Sequence, residues 1–343
     1  MAGVVVIASA GSGKTTHLVS EAAARPEARI LITTFTNENT EHIRNCLVER
    51  FGYIPANIAV MTWFSFLFGD GVRPYQNLVS GVGVSSSIAL TDVPPALRRV
   101  RRDDVDRYFF TVAGDVYRDR VSDFVCFADD RSRGRVVHRL ETIYTHIFID
   151  ELQDFAGYDL TFLEKLFRSR IAVLAVGDPR QATYATNRGA KNKGVARAKI
   201  VDWIEGLVRA GVVRAEERKE TWRSNQMICD FADALYPHLP GAQSKNEEQT
   251  GHDGVFQVPW AEAKEYYARY RPTVLRWNRV ANTMGLPAMN IGVAKGRTFD
   301  RVLIFPTNPM KEYLKTRDVA VAGDLSKFYV AVTRARFSVT FVV

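Results

Sequence analysis

Residues 4–8 read Val-Val-Val-Ile-Ala and run directly into Ser9-Ala10-Gly11-Ser12-Gly13-Lys14-Thr15-Thr16, after which Leu18, Val19 and Ala22 recur at helical spacing. A continuous apolar run with no alternation is the pattern of a strand buried on both faces, as in a parallel sheet. Strand, glycine loop and helix in that order constrain the chain more than anything else in it. Two glycines flanking one residue let consecutive backbone N–H groups curl inward, and the helix that follows adds the positive end of its dipole, so the loop is built for phosphate. Ala8 stands where the general phosphate-loop pattern has its first glycine; Gly13, Lys14 and Thr15 match the rest. The backbone from Ala10 to Thr16 is expected to cradle a nucleoside triphosphate, with Lys14 reaching the β/γ oxygens and the Thr15 hydroxyl serving as a Mg²⁺ ligand.

Further apolar runs at residues 29–35, 58–61, 145–149 and 171–176 each end in polar residues and alternate with helical stretches. That alternation predicts a doubly wound parallel sheet with its chemistry at the carboxyl ends of the strands. The run at 145–149 ends in Asp150-Glu151. One acid at a strand end can hold Mg²⁺ and a second beside it can polarise an attacking water, which suits hydrolysis better than transfer to a bound acceptor.

The 343 residues are long for one hydrophobic core and comfortable for two. No apolar run is long enough to span a bilayer, so no membrane partner is expected. Cys46, Cys126 and Cys229 lie far apart, which argues against a disulfide framework or zinc ribbon and fits buried thiols in a cytoplasmic protein. A net charge of +8 suits a polyanionic partner without specifying one.

Between residues 69 and 140 the character changes: a Gly/Ser/Val-rich part is followed by arginines 98, 99, 101, 102, 107, 118, 120, 131, 133, 135 and 139, interleaved with aspartates. This reads as an insertion into the first domain, either a solvated surface or a nucleic-acid contact. Residues 191–219 read as helical and charged, and a second domain starts near Glu220, with strands expected at 273–275, 289–293, 301–305 and 338–343 and a surface loop at 241–254.

These residues resemble, in order, the motif series of superfamily 1 helicases of the UvrD/Rep/PcrA type. Motif I is residues 8–16. Motif Ia resembles Thr34-Phe35-Thr36-Asn37, and motif Ib Thr62-Trp63-Phe64-Ser65-Phe66. Motif II is Asp150-Glu151-Leu152-Gln153-Asp154. Motif III is Gly177-Asp178-Pro179-Arg180-Gln181 with Tyr184 and Arg188-Gly189-Ala190. Motif IV resembles Trp222-Arg223-Ser224, motif V Lys295-Gly296-Arg297-Thr298-Phe299-Asp300, and motif VI residues 329–335.

The resemblance implies two RecA-like P-loop NTPase domains with parallel sheets. The first, 1A, is residues 1–68 and 141–219, and the second, 2A, is residues 220–343. Residues 69–140 are then a reduced 1B-like insertion. ATP would bind between the domains. Lys14, Asp150, Glu151, Gln181, Arg223 and Arg334 become catalytic: Asp150 and Thr15 for Mg²⁺, Glu151 as general base, Gln181 as sensor of the γ-phosphate, and the two arginines as fingers that meet charge developing on it. Trp222 takes the place of an aromatic that stacks on the nucleotide base. Phe35, Thr36, Asn37, Thr62, Trp63, Phe64 and Tyr184 match positions lining a channel for single-stranded DNA, with RNA left open. Only residues 276–294 separate the strand at 273–275 from motif V, so the accessory 2B domain usual in the family is absent. The expected function is an ATP-dependent single-stranded DNA translocase or helicase moving 3′ to 5′. The alternative is a DNA-stimulated regulatory ATPase subunit that controls a protein partner such as a nuclease.

Overall fold

Why the first half forms a parallel sheet is visible in its strands, which are buried almost without interruption. The computed structural model describes residues 3–81, 85, 87–182 and 200–343; Tyr184 and Arg188-Gly189-Ala190 lie outside them. Strands β1 (Gly3–Ala8), β2 (Ile30–Thr34), β3 (Ile58–Thr62), β4 (His146–Ile149), β5 (Ala172–Gly177) and β6 (Val213–Arg218) stand in the order β3-β2-β4-β5-β1-β6. The pairings of β2 with β3, β2 with β4 and β4 with β5 are parallel. Helix α1 (Lys14–Ala23) follows β1 and α2 (Asn37–Phe51) follows β2. Thr36 caps α2 by accepting from the Asn39 N–H, and Gly52, at φ 79°, ends it in the left-handed turn that glycine adopts without strain.

Strand β6 corrects the reading of residues 191–219 as helical throughout. Among the described residues there, Ile200–Arg209 is helical, but Val213–Arg218 is an edge strand with charged side chains along most of its length. Edge strands carry such charge to discourage further pairing, and the same charge hides them from periodicity.

The insertion between β3 and β4 holds helices α3 (Val121–Arg131) and α4 (Arg135–Ile143). Phe109, Phe110 and Phe124 are buried, with ring centroids 5.2 and 5.4 Å from Phe124 in edge-to-face contact. Several of its arginines are structural. Arg102 pairs with buried Asp123 at 2.6 Å and lies 5.1 Å from the Phe127 and Tyr158 rings. Arg120, buried, sits 3.9 Å over the Tyr108 ring. Arg101, Arg107, Arg118 and Arg139 pair with Asp103, Asp104, Asp119 and Asp70.

The second sheet is parallel in all four of its pairings: β7 (Gly254–Val258), β8 (Thr273–Arg276), β9 (Ala288–Asn290), β10 (Phe299–Phe305) and β11 (Ala335–Val342), in the order β7-β11-β10-β8-β9. Strand β9 ends at Asn290, where residues 291–294 turn into a short 3-10 helix, and β7 begins where the expected loop ends. Helices α5 (Gln226–Asp233), α6 (Asn308–Thr316) and α7 (Leu325–Val332) cover the sheet. Their Phe231, Tyr313 and Phe328 form a core with Phe341 of β11.

Two compact units result. The first comprises residues 1–6, 14–177 and a stretch ending at Glu216; the second comprises Ile7–Gly13, a short piece beginning at Asp178, and Glu217–Val343. Ala10 belongs to the core of the second unit. No helix among the described residues is long and apolar enough to cross a membrane. Cys126 and Cys229 are buried, and Cys46 is half-buried.

Candidate functional site

In the first unit, Lys14 and Thr15 open α1, and the Thr15 hydroxyl donates to Asp150 Oδ2 at 2.8 Å. This contact joins residues 135 positions apart, because β4 delivers Asp150 to its carboxyl end and the Asp150 N–H continues the strand pairing to the Thr33 carbonyl at 2.9 Å. Asp150 is buried. Burial first, and the neighbouring Glu151 second, push its carboxyl up to about 6, against the opposing pull of Thr15 and Lys14. A carboxylate held against its preference, with a hydroxyl 2.8 Å away, is a hard-oxygen pair. Mg²⁺ is bound through such oxygens while it keeps several waters, so these residues fit the ion.

Glu151 occupies the left-handed region at φ 58°, ψ 44°. A non-glycine residue there costs about 1–3 kcal/mol and is found most often at functional sites. Gln153 donates its side-chain amide to the Glu151 carboxylate. The bend turns Glu151 out of the strand direction that Asp150 still follows.

Strands β2 and β3 end in register, Thr34 opposite Thr62. The residues just beyond therefore meet: Phe35 and Phe64 are half-buried edge-to-face partners, their centroids 5.4 Å apart. Thr36 and Thr62 each cap the helical turn that follows, while Asn37 is exposed. Trp63 is different. It is 0% exposed, its Nε1 donates to Asp159 at 2.7 Å, and Ser122 of the insertion donates to the same carboxylate oxygen. The structure thus makes Trp63 a core residue, packed against Phe66, Phe155 and Phe162, rather than a surface ring.

The second unit gathers the remaining residues. Gly11 and Gly13 have φ of 75° and 73°. A Cβ on Gly11 would lie 2.6 Å from Thr221 Oγ1 and 2.5 Å from Arg223 Cβ, so glycine is required by space as well as by backbone. Thr221 donates to the Ala10 carbonyl at 2.7 Å and the Trp222 N–H to the Gly11 carbonyl at 3.1 Å. Trp222 is 57% exposed. Arg223 donates to the Thr333 carbonyl at 3.2 Å. Ser12 Oγ is buried with no hydrogen-bond partner among the described residues, as expected of a hydroxyl whose acceptor arrives with a ligand.

Gln181 donates to Asp178 at 2.8 Å and accepts from Arg334 Nη2 at 3.2 Å. Arg334 is 1% exposed and donates also to the Val330 and Arg297 carbonyls. Arg180, given no role by the sequence, is a buried hub. It donates to Ser9 Oγ at 3.2 Å and to the Pro240 carbonyl, lies within 3.6 Å of Asp178 and 4.0 Å of Asp233, and stands 5.7 Å over the Tyr329 ring. Only its place beside Gln181 in the chain hinted at this.

A parallel α/β unit in which the helix after a glycine loop opens on Lys14 and Thr15, with the Thr15 hydroxyl on a buried strand-end carboxylate, defines a P-loop nucleotide-binding domain. The chain belongs to the AAA_19 family of AAA domains, whose model matches residues 2–187. No curated protein sequence matches it. Among solved structures it is similar to the PRRSV helicase (17% identity, 99% of this chain and 52% of that one, TM-score 0.47). It is also similar to arterivirus nonstructural protein 10, a helicase (16%, 99% and 59%, TM-score 0.48), and to that helicase in complex with DNA (16%, 100% and 60%, TM-score 0.49). The chain spans between half and three-fifths of the length of these helicases.

Proposed function

We propose that the chain is an ATP-dependent, single-strand-stimulated DNA translocase or helicase of superfamily 1, UvrD-like, moving 3′ to 5′. The observation that carries the reading is the 2.8 Å contact between Thr15 and Asp150, which joins the phosphate loop to the acid pair. In this reading the loop from Ala10 to Thr16 binds the triphosphate and Lys14 neutralises its terminal oxygens. Mg²⁺, held by Thr15 and Asp150, supplies charge neutralisation on the phosphates when bound. Glu151, turned away from Asp150 by its backbone, orients and deprotonates the attacking water. Gln181 reports the γ-phosphate, Arg223 and Arg334 oppose the charge that develops on it, and Trp222 stacks on the base.

Phe35, Asn37 and Phe64, with Thr36 and Thr62 fixing their turns, are assigned to the strand; Trp63 is buried in the core, and Tyr184 is assigned by resemblance. Domains 1–68 with 141–219, and 220–343, form the motor, with 69–140 as its insertion. The test is steady-state ATP hydrolysis without nucleic acid and with single-stranded DNA, duplex DNA and RNA, with Lys14→Ala as the blank. Stimulation by single strands supports the motor. Hydrolysis indifferent to every nucleic acid overturns it in favour of a regulatory ATPase subunit, which the short connection between β8 and β9 suits.

A further inference from the structure

Three distant segments of the first unit meet on one carboxylate. Asp159 lies in the first turn of the helix Tyr158–Phe167, which follows motif II, and is 0% exposed. Its Oδ1 accepts from Trp63 Nε1 at 2.7 Å, in the turn after β3, and from Ser122 Oγ of α3 in the insertion. An indole N–H only donates, so the Trp63 bond has one direction, and the Ser122 hydroxyl rotates to match it. Asp159, Trp63 and Ser122 are all buried, where a lost partner costs more than it would in water.

The three segments carry different parts of the machinery assigned above. Trp63 opens the helical turn Trp63–Phe66 that Thr62 caps, and the next residue, Phe64, is the edge-to-face partner of Phe35. The Trp63 indole also lies 4.8 Å from the ring of Phe155, the residue after motif II. The insertion grips the same helix at two more points. Arg102, paired with Asp123 of α3, lies 5.1 Å from the Tyr158 ring, and the Cys126 thiol donates to the Tyr158 carbonyl at 3.8 Å. Apolar side chains would hold these elements together at least as well as a buried carboxylate does. What the carboxylate adds is a single permitted geometry, set by two donors on one oxygen.

We infer that Asp159 is a positioning residue through which the insertion sets the Thr62–Phe66 turn, and with it the grip of Phe64 on a single-stranded nucleic acid. Asp159 and Ser122 are no more than 1% exposed, so both act through Trp63 rather than by touching the strand. The inference rests on the strand-binding reading above and gives residues 69–140 a role in it that needs no contact with nucleic acid. Loss of one buried hydrogen bond is expected to weaken that grip about three- to tenfold.

The test is ATP hydrolysis by the full chain as a function of oligothymidylate concentration, beside a thermal melt. It compares wild type with Ser122→Ala, Asp159→Ala, Asp159→Asn, Phe64→Ala and the double variant of Ser122→Ala with Phe64→Ala. Ser122→Ala and Asp159→Ala are expected to raise the strand concentration for half-maximal stimulation about three- to tenfold, while the rate at saturating strand stays within about twofold. Asp159→Asn keeps an acceptor at the same place and is expected to stay within about twofold of wild type. In the Phe64→Ala background the Ser122 substitution is expected to add little, because its effect passes through that ring. An unchanged half-maximal concentration, with or without a fall in the saturated rate, overturns the positioning role, since a purely structural loss lowers only the rate. Additive losses in the double variant overturn it too, as does an asparagine variant as impaired as the alanine one. Strand binding itself still stands in each of those outcomes. Wild-type hydrolysis that no strand stimulates overturns both readings. If Asp159→Ala fails to melt cooperatively, Ser122→Ala and the double variant decide.

Discussion

Arg334 donates from Nη2 to the side-chain carbonyl of Gln181 across 3.2 Å, with both residues no more than 4% exposed. Because Gln181 also donates its amide to Asp178 at 2.8 Å, its two ends cannot be exchanged: turning the amide over would face donor to donor and acceptor to acceptor. Arg334, expected as a finger toward the γ-phosphate, is thus part of a buried relay with Asp178 and Gln181.

Gln181→Ala removes one partner each from a buried guanidinium and a buried carboxylate, an expected loss of about 2–4 kcal/mol. Arg334→Ala should cost at least as much, and the double variant less than the sum. Urea unfolding of the four proteins checks this. Additive losses would mean that the bond carries no coupling.

Arg180→Lys should fail to substitute for arginine, because one guanidinium reaches Ser9, Pro240 and two aspartates at once and an ammonium cannot span them. The expected cost is about 3–5 kcal/mol, that of a broken buried pair. A thermal melt matching wild type would contradict the hub.

Glu151→Gln should keep nucleotide affinity within about threefold while hydrolysis falls about 10²–10⁴-fold. Glu151→Gly should lose hydrolysis as well yet gain about 1 kcal/mol of stability, since the left-handed backbone no longer carries a side chain. Hydrolysis rates set beside denaturation midpoints test both halves, and a glycine variant less stable than wild type would deny the strain.

The sign of the pH effect at Asp150 follows from its raised carboxyl, near 6 in the folded protein against an ordinary 3.8. A raised folded value means that the folded state holds the proton more tightly. That stability is fully present below about 3.8 and is lost as pH rises through about 6. Asp150→Asn, neutral throughout, should melt several degrees above wild type at pH 8 in the absence of nucleotide and metal, with the gap narrowing as pH falls below about 6 and closing only near 3.8. A gap independent of pH would place the effect elsewhere.

In the insertion, Arg102→Ala should destabilise the protein by about 2–4 kcal/mol, since it strands buried Asp123. Replacing exposed Arg98 and Arg99 should leave the fold intact and flatten the salt dependence of strand binding. Salt titrations of the wild type and both variants check this, and an unchanged slope would assign those arginines to the solvated surface.

Legibility in the sequence followed local density of chemistry. The phosphate loop, the acid pair and the buried strands each announce themselves within ten residues, and the parallel sheets follow from them. Strand Val213–Arg218 was hidden because its charges break any apolar pattern, and Trp63 was misplaced because an indole looks the same whether its N–H meets a buried aspartate or solvent. The hub of Arg180 and the meeting of Trp63 and Ser122 on Asp159 depend on contacts between distant segments, which no run of neighbouring residues encodes.

The second unit takes Ala10 into its core, binds Arg334 to Gln181 and anchors Arg180 on Ser9, so it is completed by two short pieces drawn from far upstream. Its architecture is therefore not portable. A gene fragment beginning at Glu217 would lack a core methyl group and one of the acceptors of its most deeply buried cation. Neither recombination nor a single cut of the chain can hand this unit on as a free-standing module.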